Sequence, residues 1–266
     1  MTGRSVLLYH PDEAEAYARL VKAPRGTITL HACATPEDAA DLIAEAEILY
    51  AWDFPPELLP AARRLRWIQS MGAGVEKFLI PELPDSVLIT RVPGIFGPWM
   101  AEYTLAWCAW VTQRIEHVRK NQRQQRWLAL PPDRLRGKTL AVIGLGDIGR
   151  EIAKLARAFG MRVIGVSRSG KRPPWVEAGY RPSGLLRALA RSDFAVSVLP
   201  LTPETRGVIG ERELRAMKPT AWVVNVGRGP VIQESALLQA LEEGWIAGAI
   251  LDVFDTEPLP LDHPFW

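Results

Sequence analysis

Residues 139–160, TLAVIGLGDIGREIAKLARAFG, decide the class of fold. The apolar run at residues 140–143 is typical of a buried strand, and residues 147–159 carry the apolar and charged pattern of a helix. Between them stand Gly144, Gly146 and Gly149, with the spacing G-x-G-x-x-G. A glycine triplet alone is a weak signal. Here the strand before it and the helix after it are both present, which is the context of a dinucleotide-binding turn.

Each of the three glycines has an expected role in that turn. Gly144 allows the tight turn, Gly146 lets the backbone approach a pyrophosphate, and Gly149 lets the helix pack closely on the strand. The pyrophosphate is expected at the positive N-terminus of the helix, beside Asp147 and Ile148. The alternative is an ordinary strand–helix turn that happens to need glycine.

The next strand, RVIGVS, runs into the basic loop SRSGKR at residues 167–172, which contains no acidic residue. Proteins that bind NAD usually carry an acid there for the ribose hydroxyls. A carboxylate would repel a 2′-phosphate, whereas each hydrogen bond from a charged group contributes roughly 1.5–3 kcal/mol. We therefore predict NADP(H) as the cofactor; the alternative is a solvated basic loop. The predicted ligands of the adenosine ribose and its phosphate are Ser167, Arg168, Ser169 and Lys171.

On both sides of this stretch, strand and helix patterns alternate, which indicates parallel sheets with helices on both faces. A first series ends near SVLIT at residues 86–90, and a second begins with GKTL at residue 137. A long helical pattern that starts after Gly97 and Pro98 is interpreted as the helix joining the two. The sequence therefore predicts an α/β protein of two doubly wound parallel-sheet domains, residues 1–97 and 98–266.

Composition argues against several classes of function. The net charge of +2 is too small to indicate nucleic acid, and the basic run RKNQRQQRW is interpreted as the solvated end of a helix. The apolar run near the N-terminus is too short for a signal peptide or a membrane span. Cys33 and Cys108 stand in apolar surroundings, which favours buried thiols and a cytoplasmic location. No metal site is predicted, because no Cys/His cluster has ligand spacing.

Two charged residues follow buried strands, at the sheet edge where open α/β sheets bind ligands. Arg228, between two glycines, can hold a carboxylate and a neighbouring carbonyl oxygen in a forked arrangement. Its alternative is a surface arginine in a glycine turn. Asp252 can accept a hydrogen bond from a nicotinamide carboxamide, and its alternative is a turn cap. Glu257, in the loop beyond, has on its own the pattern of a solvated acid.

The motifs GLGDIG, LPLTPETRGVIG, NVGRGPVI and LDVFDTEPLP, in this order, resemble those of the D-isomer-specific 2-hydroxyacid dehydrogenases. MAEYTLAW, VSRSGK and HPFW make the chain most similar to the bacterial type A glyoxylate/hydroxypyruvate reductases. The resemblance implies a flavodoxin-like substrate domain, a Rossmann coenzyme domain and NADPH-dependent reduction of a small 2-oxoacid such as glyoxylate or hydroxypyruvate. It also implies a homodimer, with residues 99–118 at the interface.

The resemblance assigns roles to single positions. Arg228 would bind the carboxylate and carbonyl of the 2-oxoacid, and Glu257 would hydrogen-bond a catalytic histidine and favour its protonated form. In SMGAGVE, the backbone amides of Ala73 and Gly74 would receive the carboxylate. Trp52 fits a residue that lines the substrate pocket, with a core aromatic as an equal alternative. Pro200, in the LPLT motif, and Asp252 are included among the cofactor-binding residues.

This sequence departs from the family's pattern at the catalytic histidine. It stands in a Pro-His shortly after the position of Trp266, so we expect it, and a helix returning to the first domain, in sequence beyond this chain. Phe265 and Trp266 would then lack partners here. His263 is interpreted as a surface turn histidine and not as the acid. The alternative function is a non-catalytic NADP(H)-binding sensor or corepressor-like module.

Overall fold

A computed structural model describes residues 3–131 and 133–266. The chain divides into two compact units, Met1–Pro93 and Gly94–Trp266. The sequence pattern placed the boundary after Gly97, but helix α3 (Phe96–Thr112) begins before that residue. Pro98 lies in the first turn of this helix, where a missing backbone N–H costs no hydrogen bond.

The first unit is a five-stranded sheet, all of whose strand pairs are parallel, in the order β2-β1-β3-β4-β5. This is the flavodoxin-like order, in which the direction of winding reverses between the first and third strands. The strands are β1 (Arg4–Tyr9), β2 (Ile28–Cys33), β3 (Ile48–Ala51), β4 (Trp67–Ser70) and β5 (Leu88–Thr90). The helices are α1 (Ala14–Leu20) and α2 (Pro36–Ile43), with 3-10 turns at Pro56–Ala61 and Glu76–Phe78.

The second unit is a six-stranded parallel sheet in the order β11-β10-β9-β6-β7-β8. Its strands are β6 (Thr139–Ile143), β7 (Arg162–Val166), β8 (Ala178–Tyr180), β9 (Phe194–Ser197), β10 (Trp222–Asn225) and β11 (Gly248–Leu251). This is the Rossmann order, with the reversal between β6 and β9. The predicted α/β class with two doubly wound parallel sheets is confirmed.

Helices cover both faces of the second sheet. They are α3, α5 (Asp147–Ala158), α6 (Leu185–Arg191), α7 (Glu211–Arg215) and α8 (Glu234–Glu242). Helix α4 (Ile115–Arg123) follows α3 and has no buried residue. Alternate residues of β6 enter different cores: Leu140 and Val142 join one apolar cluster, while Ala141 and Ile143 join the other. Burial on both faces explains why these strands are almost continuously apolar.

The long helix predicted after Pro98 is in fact two helices. α3 ends at Thr112 and α4 begins at Ile115, with Arg114 between them in the left-handed region at φ 53°. The interpretation of residues 99–118 as one continuous helix was therefore wrong. Within the described residues, no helix is long and apolar enough to cross a membrane.

Candidate active site

The carboxyl ends of five neighbouring strands of the second sheet form one continuous edge. Because the strands are parallel, the residue after each strand is held by the strand beside it through a backbone hydrogen bond. These bonds run from Ser167 N to Tyr180 O (3.0 Å), Gly144 N to Val166 O (2.9 Å), Val198 N to Ile143 O (2.8 Å), Val226 N to Ser197 O (3.1 Å) and Asp252 N to Asn225 O (3.0 Å). The edge thus brings together segments predicted separately: the glycine turn, the basic loop, the LPLT motif, the Arg228 turn and Asp252.

The glycine turn lies at the point where the order of the sheet reverses. Gly144 has φ +106°, and a Cβ there would lie 2.8 Å from the carbonyl oxygen of Val198. A Cβ on Gly149 would overlap the carbonyl oxygen of Gly144. By contrast, a Cβ on Gly146 would meet no protein atom within 4 Å. The turn is therefore closed on the protein side and open in front of Gly146, at the N-terminus of α5, as a pyrophosphate requires.

Asp147 and Ile148, the first residues of α5, are both partly buried. The carboxylate of Asp147 accepts a hydrogen bond of 2.5 Å from the backbone N–H of Gly94. Asp147 therefore ties the start of the second unit to the glycine turn. Pro200 is exposed, and its carbonyl accepts a hydrogen bond of 2.7 Å from the hydroxyl of Thr205, which holds the loop after β9 in a turn.

A pocket of about 320 Å³ lies beside the basic loop. Its lining is Leu145, Arg150, Ser167, Ser169, Lys171, Arg172, Pro173 and Trp175. Three of the four residues predicted in this loop line the pocket. Arg168 does not line the pocket, and it is exposed. The pKa of Glu204 is lowered first by a hydrogen bond to Thr202 and further by the positive charge of Arg168.

The loop itself is a compact turn. Gly170 has φ +70°, and its N–H donates to the carbonyl of Ser167 (3.1 Å). The N–H of Lys171 donates to the hydroxyl of Ser169 (3.1 Å), and the hydroxyl of Ser167 donates to the carbonyl of Lys171 (3.3 Å). The backbone is thus satisfied locally, and the ammonium of Lys171 is left at the pocket.

Sequence reasoning missed Arg150, Arg172 and Trp175 as pocket residues. Arg172 was adjacent to the predicted set, but Trp175 stands beyond the loop and only the folded chain brings it to the pocket. Arg150 directly follows the last glycine of the motif, in the first turn of α5. Its position beside the expected phosphates was the signal that could have identified it.

Arg228 is held in a turn built by a buried asparagine. Asn225, 1% exposed, donates from Nδ2 to the carbonyl of Arg228 (2.9 Å) and accepts at Oδ1 from the N–H of Gly227 (3.2 Å). Arg228 is partly buried, and its Nη1 donates to the carbonyl of Gly227 (2.7 Å). A Cβ on Gly229 would overlap the backbone of Phe254, so the turn packs directly against the loop after β11. Asn225 was also missed, although asparagine is a frequent turn former.

Asp252 follows β11 and is exposed. Burial raises the pKa of the Tyr103 phenol, and a hydrogen bond to the carboxylate of Asp252 raises it further. The carboxylate therefore has a partner on α3, in addition to any role toward a ligand.

Glu257 and His263 make separate contacts. The carboxylate of Glu257 accepts a hydrogen bond of 2.9 Å from the N–H of Phe254. His263 Nε2 lies 3.2 Å from a carboxylate oxygen of Glu234, and its ring is 4.8 Å from that of Phe265. With its side chain 14% exposed, His263 is largely buried, which corrects its interpretation as a surface histidine. Its carboxylate partner is Glu234.

The expectation that Phe265 and Trp266 lack partners was wrong. Phe265 packs against the apolar cluster that contains Ala141 and Ile143, and its ring lies 6.3 Å from that of Phe254. Trp266 is 77% exposed, but its Nε1 donates to the carbonyl of Pro260 (2.8 Å).

In the first unit, the SMGAG segment is a loop organised by Ser70. This serine is buried; its hydroxyl donates to the carbonyl of Gly74 (3.0 Å) and accepts from the N–H of Gly72 (3.1 Å). Ala73 lies within this loop and is partly buried, like Gly74. Trp52, which follows β3, is 39% exposed, so it is not a core aromatic.

Among residues 3–131 and 133–266, no three His, Cys, Asp or Glu side chains form a group that could hold a metal ion. Cys33 and Cys108 are both free and buried.

The Rossmann strand order and a glycine turn at the point of reversal define a dinucleotide-binding α/β protein of the dehydrogenase class. The match to a family model narrows this class. Residues 105–266 match the model for the D-isomer specific 2-hydroxyacid dehydrogenase, NAD binding domain. The chain belongs to this family, as the resemblance of its motifs predicted.

Three similar proteins illustrate the relationship. A glyoxylate reductase of Aeropyrum pernix is 40% identical over 218 residues, 78% of this chain and 65% of that protein, so this chain spans somewhat less than two-thirds of its length. The glyoxylate/hydroxypyruvate reductase A of Serratia proteamaculans is 34% identical over 83% of this chain and 73% of that protein. The solved structure of an NADPH-dependent glyoxylate/hydroxypyruvate reductase from Sinorhizobium meliloti, in complex with NADP and sulfate, superposes with a TM-score of 0.87 at 29% identity. The superposition covers 99% of this chain and 85% of the Sinorhizobium meliloti chain.

Proposed function

We propose that this protein is an NADPH-dependent reductase that converts a small 2-oxoacid, such as glyoxylate or hydroxypyruvate, to the 2-hydroxyacid. The observation that carries the proposal is the single sheet edge on which the glycine turn, the basic pocket, Arg228 and Asp252 follow neighbouring strands. Ligands of open α/β sheets bind at such an edge, near the point of reversal. The names of the similar reductases supply the substrate class.

NADP(H) is the proposed cofactor. The pocket beside β7 offers Ser167, Ser169 and Lys171 to a ribose phosphate and contains no carboxylate, which favours the phosphorylated coenzyme. The open space before Gly146 suits the pyrophosphate, with Asp147 and Ile148 at the start of α5 beside it. Asp252 is proposed to accept from the nicotinamide carboxamide, and Pro200 to border the coenzyme.

The bound coenzyme would supply the hydride, and the residues of this chain would position the acceptor. Arg228 is proposed to bind the carboxylate of the 2-oxoacid and to polarise its carbonyl, because a guanidinium can do both at once. The amides of Ala73 and Gly74 are proposed to bind the same carboxylate, and Trp52 to line the substrate pocket. Glu257 is proposed to hold the histidine that donates the proton in its charged form.

The test uses Arg228→Ala and, as a control, Arg212→Ala, which removes an exposed arginine of α7. We would measure NADPH binding, glyoxylate and hydroxypyruvate binding to the NADP⁺ complex, and NADPH oxidation. Arg228→Ala should lose 2-oxoacid binding and turnover while retaining NADPH binding, and the control should retain all three. Turnover by Arg228→Ala at the wild-type rate would overturn the assignment. A wild-type protein that binds NADPH but no 2-oxoacid would support the sensor alternative.

We also propose a homodimer and a cytoplasmic location. The homodimer is supported by the exposed aromatic side chains on α3, Trp99 (64%) and Trp107 (38%), since contiguous apolar surface marks interaction sites. The location is supported by the two free, buried thiols, which are usual in a reducing compartment.

A further inference from the structure

The pocket beside β7 is lined by a cation that does not come from the basic loop. Arg150 is an exposed residue in the first turn of α5, and it lines this pocket together with Lys171 and Arg172. Its Nε donates to the carbonyl of Leu145 at 3.1 Å, which fixes the base of the guanidinium beside the glycine turn. Within the described residues this is the only hydrogen bond of its side chain, so both terminal nitrogens lack a protein partner.

The three cations of the pocket are not equivalent. Arg172 turns one terminal nitrogen toward the carbonyl of Val176 and is partly used within the protein. The ammonium of Lys171 and the terminal nitrogens of Arg150 make no such contact among the described residues, and they come from separate elements, the loop after β7 and α5. No carboxylate lines the pocket, so nothing there neutralises these charges.

The shape of the pocket also indicates a ligand group of some size. Its volume of about 320 Å³ lies within the range of small-ligand sites, about 300–1,000 Å³. Trp175 forms part of its wall, with 38% of its surface exposed.

We propose that Arg150 is a specificity residue for the ribose 2′-phosphate of NADP(H), which it binds together with Lys171. This inference rests on the proposed coenzyme function. A guanidinium binds phosphate through two parallel hydrogen bonds, whereas the NAD(H) ribose has only a neutral hydroxyl at that position. Arg150 should therefore contribute to binding of the phosphorylated coenzyme alone.

The experiment compares Arg150→Met with Lys154→Met, which removes a cation one turn further along α5 that does not line the pocket. Titration calorimetry would give the Kd of NADP⁺, NAD⁺, adenosine 2′,5′-bisphosphate and 5′-AMP. Arg150→Met should weaken both 2′-phosphorylated ligands by at least about tenfold, the loss expected for one hydrogen bond to a charged group. NAD⁺ and 5′-AMP should change by less than about twofold. Lys154→Met should leave all four unchanged, and Arg150→Lys should recover part of the loss.

Two results would overturn the inference. If Arg150→Met weakened NAD⁺ and NADP⁺ by the same factor, Arg150 would bind the pyrophosphate that both coenzymes share. If it weakened neither, while a thermal melt showed the variant to be folded, Arg150 would have no part in binding. A wild-type protein that binds none of the four ligands would instead refute the coenzyme function itself.

Discussion

The glycines of the turn after β6 differ in what surrounds them, and this separates a structural from a ligand-binding requirement. An added methyl group on Gly149 would collide with backbone, whereas one on Gly146 would point into open space. We therefore expect Gly149→Ala to lower the free energy of unfolding by about 1–3 kcal/mol, the cost of overpacking. Gly146→Ala should leave it within about 0.5 kcal/mol, because the backbone angles of Gly146 suit alanine.

The dinucleotide Kd should respond in the case of Gly146→Ala, since its methyl group would occupy the space that the backbone leaves for a pyrophosphate. Urea denaturation and coenzyme titration of the two variants would check this pair of expectations. A Gly146→Ala protein that binds NADPH as tightly as the wild type would argue against a phosphate in front of this residue.

Arg168 gives a second test of coenzyme choice. Arg168→Asp should lower the ratio of NADPH to NADH affinity by at least about tenfold, because a carboxylate repels the 2′-phosphate and can accept from the ribose 2′-hydroxyl. The measurement is the Kd of each coenzyme, with Arg212→Asp as the control for a general change in charge. An unchanged ratio would mean that Arg168, which does not line the pocket, has no role in the choice.

The cysteines are expected to be inert in the native protein. Burial raises the pKa of the Cys108 thiol to about 12, and burial together with the nearby Asp38 raises that of Cys33 to about 11. Because only the thiolate reacts, neither residue should be alkylated at pH 8, and raising the pH short of unfolding should increase the rate. Mass spectrometry after iodoacetamide treatment, with and without denaturant, would measure this. Rapid labelling of native Cys108 would contradict its placement in the core.

At the level of single residues, the sequence could identify groups whose role depends on local spacing. Gly144, Gly146 and Gly149 are visible because strand, turn and helix are consecutive in the chain. Asn225 was missed although its contacts, with Gly227 and Arg228, are local. Arg150 was missed because the pocket that it lines is formed by segments that meet only after folding. His263 was misjudged for the same reason, since its partner Glu234 lies on a different element.

Among the elements, those buried on both faces were the easiest to predict. β6, β9 and β10 are short apolar runs because each lies inside the sheet with a core on either side. The break between α3 and α4 gave no signal, because Arg114 occupies a left-handed conformation that usually belongs to glycine or asparagine. Helical periodicity continues through the break, so the sequence predicted one helix.

This break leads to a prediction about stability. A non-glycine residue in the left-handed region costs about 1–2 kcal/mol, whereas the extra chain entropy of glycine costs about 0.5–1 kcal/mol. Arg114→Gly should therefore raise the free energy of unfolding by about 0.5–1 kcal/mol. Lys120→Gly, within α4, should lower it by about 1 kcal/mol. Urea denaturation would compare them, and equal destabilisation by both would show that Arg114 is helical in solution.

Over the whole molecule, the proposed ligand site of the second unit is assembled from segments more than one hundred residues apart in the chain, from Gly144 to Asp252. Their proximity could be anticipated without any knowledge of contacts, because the carboxyl ends of parallel strands share one edge. The boundary between the two units could be located only to within a few residues, since Gly97 and Pro98 mimic a linker but lie in the first turn of α3.

The surface of α3 is unusual for a helix on the outside of an α/β unit. One face is buried through Ala101, Leu105 and Cys108, but the helix also carries aromatic side chains elsewhere on its surface. Trp107 packs its ring 6.2 Å from that of Tyr103 and 5.7 Å from that of Trp110, and Trp99 stands two turns earlier. A helix that is apolar on more than one face requires a second surface to cover it.

If a second copy of the chain covers this surface, charges placed there should separate the copies. We expect the double variant Trp99→Glu/Trp107→Glu to shift the mass measured by light scattering from dimer to monomer, because each carboxylate would lose its water on association. Leu79→Glu, which places a carboxylate on an exposed apolar residue of the first unit, should leave the mass unchanged. Coenzyme binding by the double variant is the check on folding, since the glycine turn lies outside the altered surface. A dimer that persists in a folded double variant would show that α3 is not its interface, and a monomeric wild type would refute the homodimer.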